Sequence, residues 1–210
     1  MHEEAIKIRS SDDVALEAML VWGRSEHGAV LCHPHPLYGG AMDNNVVLAA
    51  RDALAALGMT TLRFNFRGVG GSGGAFDGGR GEQQDLLAAY AALAEDVDIV
   101  HIVAYSFGAW VATTALARGT IEPRTVTLIS PPVAFAETDF SGLTLPSCPT
   151  LVVSGDSDQF GPKAEVDRWI RSLGERDDIT RVSLAGVDHF YWGAEPALAA
   201  ALTEFYEALV

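Results

Sequence analysis

The segment HIVAYSFGAW, residues 101–110, changes character in its middle. As far as Tyr105 it is a run of apolar, β-prone residues, and from Phe107 it continues as FGAWVATTALARG, a helix-forming sequence closed by glycine. Ser106 stands at the junction, with Ala104 two residues before it and Gly108 two residues after. A tight strand-to-helix turn needs small residues at those two places, because side chains there meet neighbouring backbone. Glycine is usual at the first, so Ala104 adds one methyl. Such a turn presents a hydroxyl at a helix N-terminus, where the next backbone N–H and the helix dipole face developing negative charge. Serine is also a favoured helix N-cap. The segment alone leaves both readings open.

The same alternation continues on either side. AIKIRSSDDVALEAMLVW, residues 5–22, reads as an antiparallel hairpin around a polar turn, and GAVLCHPHP, residues 28–36, as a buried strand stopped by prolines. Residues 44–57 are helical, with Val47, Ala50, Leu54 and Leu57 at helical spacing and Gly58 as the stop. MTTLRFNF is a strand, residues 82–94 a helix, and DIVHIVAYS a strand. RTVTLIS and PTLVVSG are two further strands; GPKAEVDRWIRSLG is a helix, ITRVSLAG the last strand and EPALAAALTEFYEALV the last helix. Alternation of this kind predicts an α/β fold with a mostly parallel eight-stranded sheet, helices on both faces and the antiparallel N-terminal hairpin at one edge. With no linker, repeat or break in composition, residues 1–210 are expected to form one domain. Ligands of such sheets bind outside the carboxyl ends of the strands.

Lys plus Arg total 14 against 28 Asp plus Glu, a net charge of −14 that disfavours nucleic acid and anionic membrane as partners. No apolar run is long enough to span a bilayer, and MHEEAIKIRSSDD lacks the apolar core of a secretion signal. Cys32 and Cys148 fit neither a disulfide framework nor a zinc pattern, so a cytoplasmic setting is expected. His33 and His35 alternate at strand spacing and point to opposite faces with no third ligand, so no metal is expected. RGVGGSGG follows a strand but matches neither dinucleotide nor P-loop spacing. Its glycines let the loop pass beneath the site, with Arg67 anchoring it. No cofactor is expected.

A nucleophilic serine needs a base, and the base an orienting carboxylate. Of six histidines, His189 alone lies beyond Ser106 in a loop that follows a strand. GDSDQFGP follows the strand TLVVS and offers Asp156 and Asp158. Asp158 is favoured, because the chain has by then turned out of the sheet, whereas Asp156 is suited to tying up its own loop. Asp188, adjacent to His189, is a weaker third option.

HPHPLYGGAMDNNVV, RFNFRGVGGSGGAFDGGRGE, AYSFG, GDSDQF and HFYWG occur in that order. Through them the whole chain resembles an α/β-hydrolase, and more closely the small lidless bacterial hydrolases near the dienelactone hydrolases. The resemblance implies a three-layer sandwich without a cap domain and a serine hydrolase in which Ser106, Asp158 and His189 match the triad. Departures are Ala104 and Asn45, where a lysine often follows the asparagine. Superfamily lids are inserted after the strand that follows the nucleophile helix, here TVTLIS, and PPVAFAETDFSGLTLPSC is too short for one. The superfamily places a second oxyanion donor after the third strand. Pro34 and Pro36 have no N–H, which leaves the His35 and Phe107 amides as the donors. Leu37, Tyr38, Val69, Phe107, Val133, Phe135, Phe160, Phe190 and Tyr191 are expected as pocket walls for a small-molecule apolar acyl or aryl substrate.

The expected activity is hydrolysis of a small carboxylic ester through an acyl-enzyme. Thioesterase, small peptidase or acyltransferase chemistry on the same triad are alternatives, as is a non-catalytic binding protein on the same scaffold. Nothing in the residues demands an oligomer.

Overall fold

The structure, a computed structural model, describes residues 2–210. Strands β1 (Glu3–Arg9) and β2 (Ala15–Val21) form an antiparallel hairpin, with Ile6 opposite Ala18 and Ile8 opposite Leu16. They are followed by β3 (His27–Cys32), a 3-10 turn (Pro36–Tyr38), α1 (Asn45–Ala56) and β4 (Thr60–Phe64). Next come α2 (Arg80–Leu93), β5 (Ile99–Tyr105), α3 (Phe107–Leu116) and β6 (Val126–Ile129). The chain ends with β7 (Thr150–Gly155), α4 (Lys163–Ser172), β8 (Ile179–Leu184) and α5 (Glu195–Glu207).

The eight strands form one sheet in the order β1-β2-β4-β3-β5-β6-β7-β8. From β4 to β8 every neighbouring pair is parallel, while β2 joins β4 antiparallel and carries the hairpin to one edge. The sequence pattern states the reason. Strands β3, β6 and β7 are buried at every residue, the pattern of strands covered on both faces, while β1 alternates as an edge strand does.

Helices cover both faces. On one, Leu86, Ala112 and Val166 bring α2, α3 and α4 onto the sheet, and on the other Leu54 and Leu198 bring α1 and α5. The result is three layers. Residues 130–149 join β6 to β7 without helix or strand, so nothing is inserted above the sheet there. No helix among the described residues is long and apolar enough to cross a membrane.

Helix starts are fixed locally. The Asn44 side chain accepts from the Val46 amide at the head of α1. The Glu82 carboxylate reaches back to the amides of Gly79 (2.7 Å) and Asp77 (2.9 Å) before α2. The loop before α2 is anchored by Arg67, which pairs with Asp85 (2.7 Å) and Asp12 (2.8 Å). It is laced to β2 by the Gly73 amide on the Ala15 carbonyl and the Gly71 amide on Glu17. Its second half brings Phe76 against the rings of His35 and Phe107.

Candidate active site

Strand β5 ends at Tyr105 and α3 begins at Phe107, so Ser106 alone makes the turn. It does so at φ 54° and ψ −121°, a conformation that costs a non-glycine residue about 1–3 kcal/mol. Space for the turn comes from Gly108, where a Cβ would stand 2.7 Å from the His33 carbonyl oxygen. Ala104 is fully buried between Cys32 of β3 and Leu128 of β6, so its methyl is absorbed by the core.

Ser106 Oγ lies 2.8 Å from His189 Nε2, and His189 Nδ1 lies 2.8 and 3.0 Å from the two oxygens of Asp158. Because Nδ1 faces acceptors only, it carries the proton of the neutral ring, and Nε2 is left to accept from the Ser106 hydroxyl. Asp158 Oδ1 also accepts from the amides of Phe160 (2.9 Å) and Gly161 (3.0 Å). Burial pushes the Asp158 pKa up, but His189, the Gly161 amide and the Ser130 hydroxyl outweigh it, and the carboxyl lies below its ordinary value. It is a carboxylate wherever the protein is folded near neutrality.

The other two aspartates are engaged locally. Asp156 Oδ1 accepts from the Gly186 amide (2.8 Å) and the Ser157 hydroxyl (3.1 Å), tying the end of β7 to the turn after β8. Asp188 is exposed and accepts from the Phe190 amide. The loop bearing His189 is held from both sides: Tyr105 Oη donates to the His189 carbonyl (2.7 Å), and Asn45 Nδ2 donates to the Phe190 carbonyl (3.0 Å) and to Glu195 (2.9 Å). Asn45 and Tyr105 were not singled out by the sequence for this, because their partners lie 84 to 150 residues away.

The amides of His35 and Phe107 have no backbone acceptor. The turn that carries His35 is braced by His33, whose Nδ1–H donates to the Pro34 carbonyl (2.6 Å) and whose Nε2 accepts from the Phe66 amide (3.0 Å). Burial lowers the His33 pKa to about 4, so the ring stays neutral in this role. Among the described residues no cluster of three or more His, Cys, Asp or Glu is placed to hold a metal ion.

Ser106 opens into a cavity of about 410 Å³. Of the residues expected on its walls, Tyr38, Phe107, Phe135, Phe160 and Phe190 line it. Four do not. Leu37 is 66% exposed and takes no part in the walls, whereas Tyr38, equally exposed, lies along the cavity mouth with its hydroxyl on Glu137. Val69 lies in the loop laced to β2, and Val133 packs into the core beneath the cavity. Tyr191 is wholly buried: at φ 58° the chain turns it into the sheet, where its hydroxyl meets Ser130 Oγ at 3.0 Å. Walls that the sequence reading left out are Pro34, Gly39, Gly40, Asn44, Tyr105 and Pro132. Each ends, follows or caps an element, so a place at a strand or helix end was the available signal. No Lys or Arg lines the cavity.

A hydroxyl on a strained turn, an imidazole poised to take its proton, and a buried carboxylate behind it can generate an alkoxide-like attacking group. The His35 and Phe107 amides, without a backbone acceptor on residues that line the same cavity, are free to bind a negatively charged oxygen.

No family model matches the chain. An uncharacterized protein of Rickettsia prowazekii strain Madrid E is 38% identical over 170 residues, which cover 78% of this chain and 71% of that one. A solved structure from Xanthomonas campestris, described as a member of the α/β serine hydrolases without a lid, superposes with a TM-score of 0.89. It is 31% identical and covers 100% of this chain and 96% of its own. An α/β serine hydrolase homologue from Coxiella burnetii gives a TM-score of 0.87 at 31% identity, covering 100% and 99%.

Proposed function

The chain belongs to the α/β serine hydrolases without a lid, and on that footing we propose that it hydrolyses a small, uncharged carboxylic ester through an acyl-enzyme. The observation that carries this reading is the unbroken hydrogen-bonded line from Ser106 through His189 to Asp158, opening into an apolar cavity. Ser106 is the nucleophile, His189 the general base and acid, and Asp158 the group that orients the ring and stabilises its cation.

In the first half-reaction His189 Nε2 takes the hydroxyl proton as Oγ attacks the carbonyl carbon. The carbonyl electron pair moves onto oxygen, where the His35 and Phe107 amides receive it. On collapse the leaving group departs with the proton from Nε2. Water then enters, loses a proton to Nε2, attacks the acyl carbon and releases the acid, and Ser106 recovers its proton. No metal or organic cofactor enters this scheme.

Aromatic walls and the absence of a cationic side chain favour an apolar acyl or aryl group. The same absence, with a net charge of −14, disfavours the polyphosphate of an acyl-CoA thioester, nucleic acid and anionic membrane. Two unpaired cysteines suit a cytoplasmic setting.

The test is labelling with a fluorophosphonate followed by mass mapping. Stoichiometric modification at Ser106, absent in Ser106→Ala, is expected; a folded wild type that takes no label overturns the reading. A panel of p-nitrophenyl esters, lactones and acyl-CoA thioesters then identifies the leaving group, with the neutral esters expected to turn over fastest.

A further inference from the structure

Glu137 belongs to the segment between β6 and β7, where a lid would stand, and takes no part in the scheme above. Its carboxylate nevertheless reaches across to the turn that carries His35. Tyr38 Oη donates to Glu137 Oε1 at 3.0 Å, and His35 Nε2 lies 3.2 Å from Glu137 Oε2. The direction of the second bond is fixed by the other side of the ring: His35 Nδ1 accepts from the Leu37 amide at 3.2 Å, so in the neutral ring the proton sits on Nε2 and is donated to Glu137. The His35 ring is buried against Phe107, with centroids 4.6 Å apart, and cannot reorient without disturbing the first residue of α3.

The platform that presents Glu137 is itself fixed. Thr138 Oγ1 donates to the Pro132 carbonyl (2.7 Å), the Thr138 amide donates to the Phe135 carbonyl, and the Ala134 amide donates to the carbonyl of Phe160. Phe160 is two residues beyond Asp158 and its amide binds that carboxylate. The loop carrying the acid is thus joined through residues 132–138 to Glu137, and through Glu137 to the turn carrying the His35 amide.

We propose that Glu137 is a positioning residue that clasps Tyr38 and His35 and so holds the His35 amide in line to receive the oxyanion. The proposal rests on the serine-hydrolase reading given above. Both donors sit on the same short turn, Pro36–Tyr38 with His35 as its cap, so one carboxylate sets the turn's position and its rotation together. Loss of a complete oxyanion donor costs about 100- to 1,000-fold in turnover. Loosening one while leaving it present should cost less, about tenfold.

The experiment measures the rate of fluorophosphonate labelling at Ser106, together with kcat and KM for a p-nitrophenyl ester, in wild type, Glu137→Ala, Glu137→Gln and Tyr38→Phe. The phosphonyl oxygen occupies the oxyanion position, so labelling reports alignment without depending on the natural substrate. Glu137→Ala is expected to lower both the labelling rate and kcat about tenfold, with KM within about twofold and the melting temperature unchanged, since the side chain is half exposed. Glu137→Gln offers a single acceptor to two donors and should fall between; Tyr38→Phe keeps the His35 bond and should lose about threefold. A Glu137→Ala protein that labels at the wild-type rate overturns the proposal while leaving the hydrolase reading intact. So does one whose loss lies in KM, which would make the residue only a wall. A wild type that takes no label overturns both.

Discussion

At the level of single residues the site depends on which acceptor faces the His189 ring. Asp158 Oδ1 already binds two backbone amides, and both its oxygens lie within 3.0 Å of His189 Nδ1. In Asp158→Asn the one remaining oxygen is drawn to the Phe160 and Gly161 amides, which turns the side-chain NH2 toward Nδ1. The ring must then carry its proton on Nε2, where Ser106 finds no acceptor. We expect ester turnover in Asp158→Asn to fall about 1,000- to 10,000-fold. Asp156→Asn keeps the oxygen that accepts from Gly186 and should stay within about fivefold of wild type, as steady-state kcat on a p-nitrophenyl ester will test. Equal losses would mean that the acid has been misassigned. The distinction was legible in the chain because position after a strand tells which carboxylate has left the sheet. Tyr191 was not legible in the same way. Phe190 and Tyr191 are both aromatic and adjacent, and only the positive φ at Tyr191 decides that one faces the cavity and the other the core.

Between elements, the site exists because the ends of β7 and β8 are pressed together. Gly155 closes β7, and a Cβ placed there would lie 1.8 Å from the Val187 carbonyl oxygen, which also accepts from the Ser157 amide. Any side chain at 155 must drive the turn bearing Asp158 away from the loop bearing His189. Gly155→Ala should therefore lose about 2–3 kcal/mol in urea unfolding. The folded protein should also lose at least tenfold in kcat, because a displacement of about 1 Å between catalytic groups costs up to 100-fold. A variant with wild-type kcat would show that the two loops are positioned independently of this contact. Element order and type were read correctly along the chain because hydrophobic period changes cleanly at each boundary, as between β5 and α3. The segment 130–149 gave less: Phe135 was expected as a wall, but the wall Pro132 and the clasp Glu137 were not, and Glu137 acts through contacts with the turn after β3 about 100 residues away.

Across the whole molecule the sheet buries polar groups at both ends, and this sets the response to acid. His33 is wholly buried at the carboxyl end, while His101 lies in the centre of β5 toward the opposite end. His101 Nε2 meets His27 Nδ1 at 3.0 Å, and its Nδ1 meets Thr125 Oγ1 at 2.8 Å, from where the chain of hydrogen bonds runs on to Tyr206. The facing nitrogens share one hydrogen, an N–H on one ring donating to the lone pair of the other. Burial, and after it the charges of His27 and Arg124, lower the His101 pKa to about 3, and burial lowers that of His33 to about 4. Both values lie below the 6.5 of a free imidazole, so between these limits the unfolded chain binds protons that the folded protein refuses. Stability is therefore complete above about pH 6.5 and declines as pH falls, by about 1.4 kcal/mol per unit for each histidine. From pH 7 to 5 the two together should remove about 4 kcal/mol. Urea unfolding at pH 7 and pH 5 measures this directly, and His101→Gln should halve the slope. A stability that stays level over that range would show that both rings accept protons in place. The loss would also precede any titration of Asp158, whose depressed pKa keeps it ionised throughout, so acid should unfold this protein before it neutralises the carboxylate at the site.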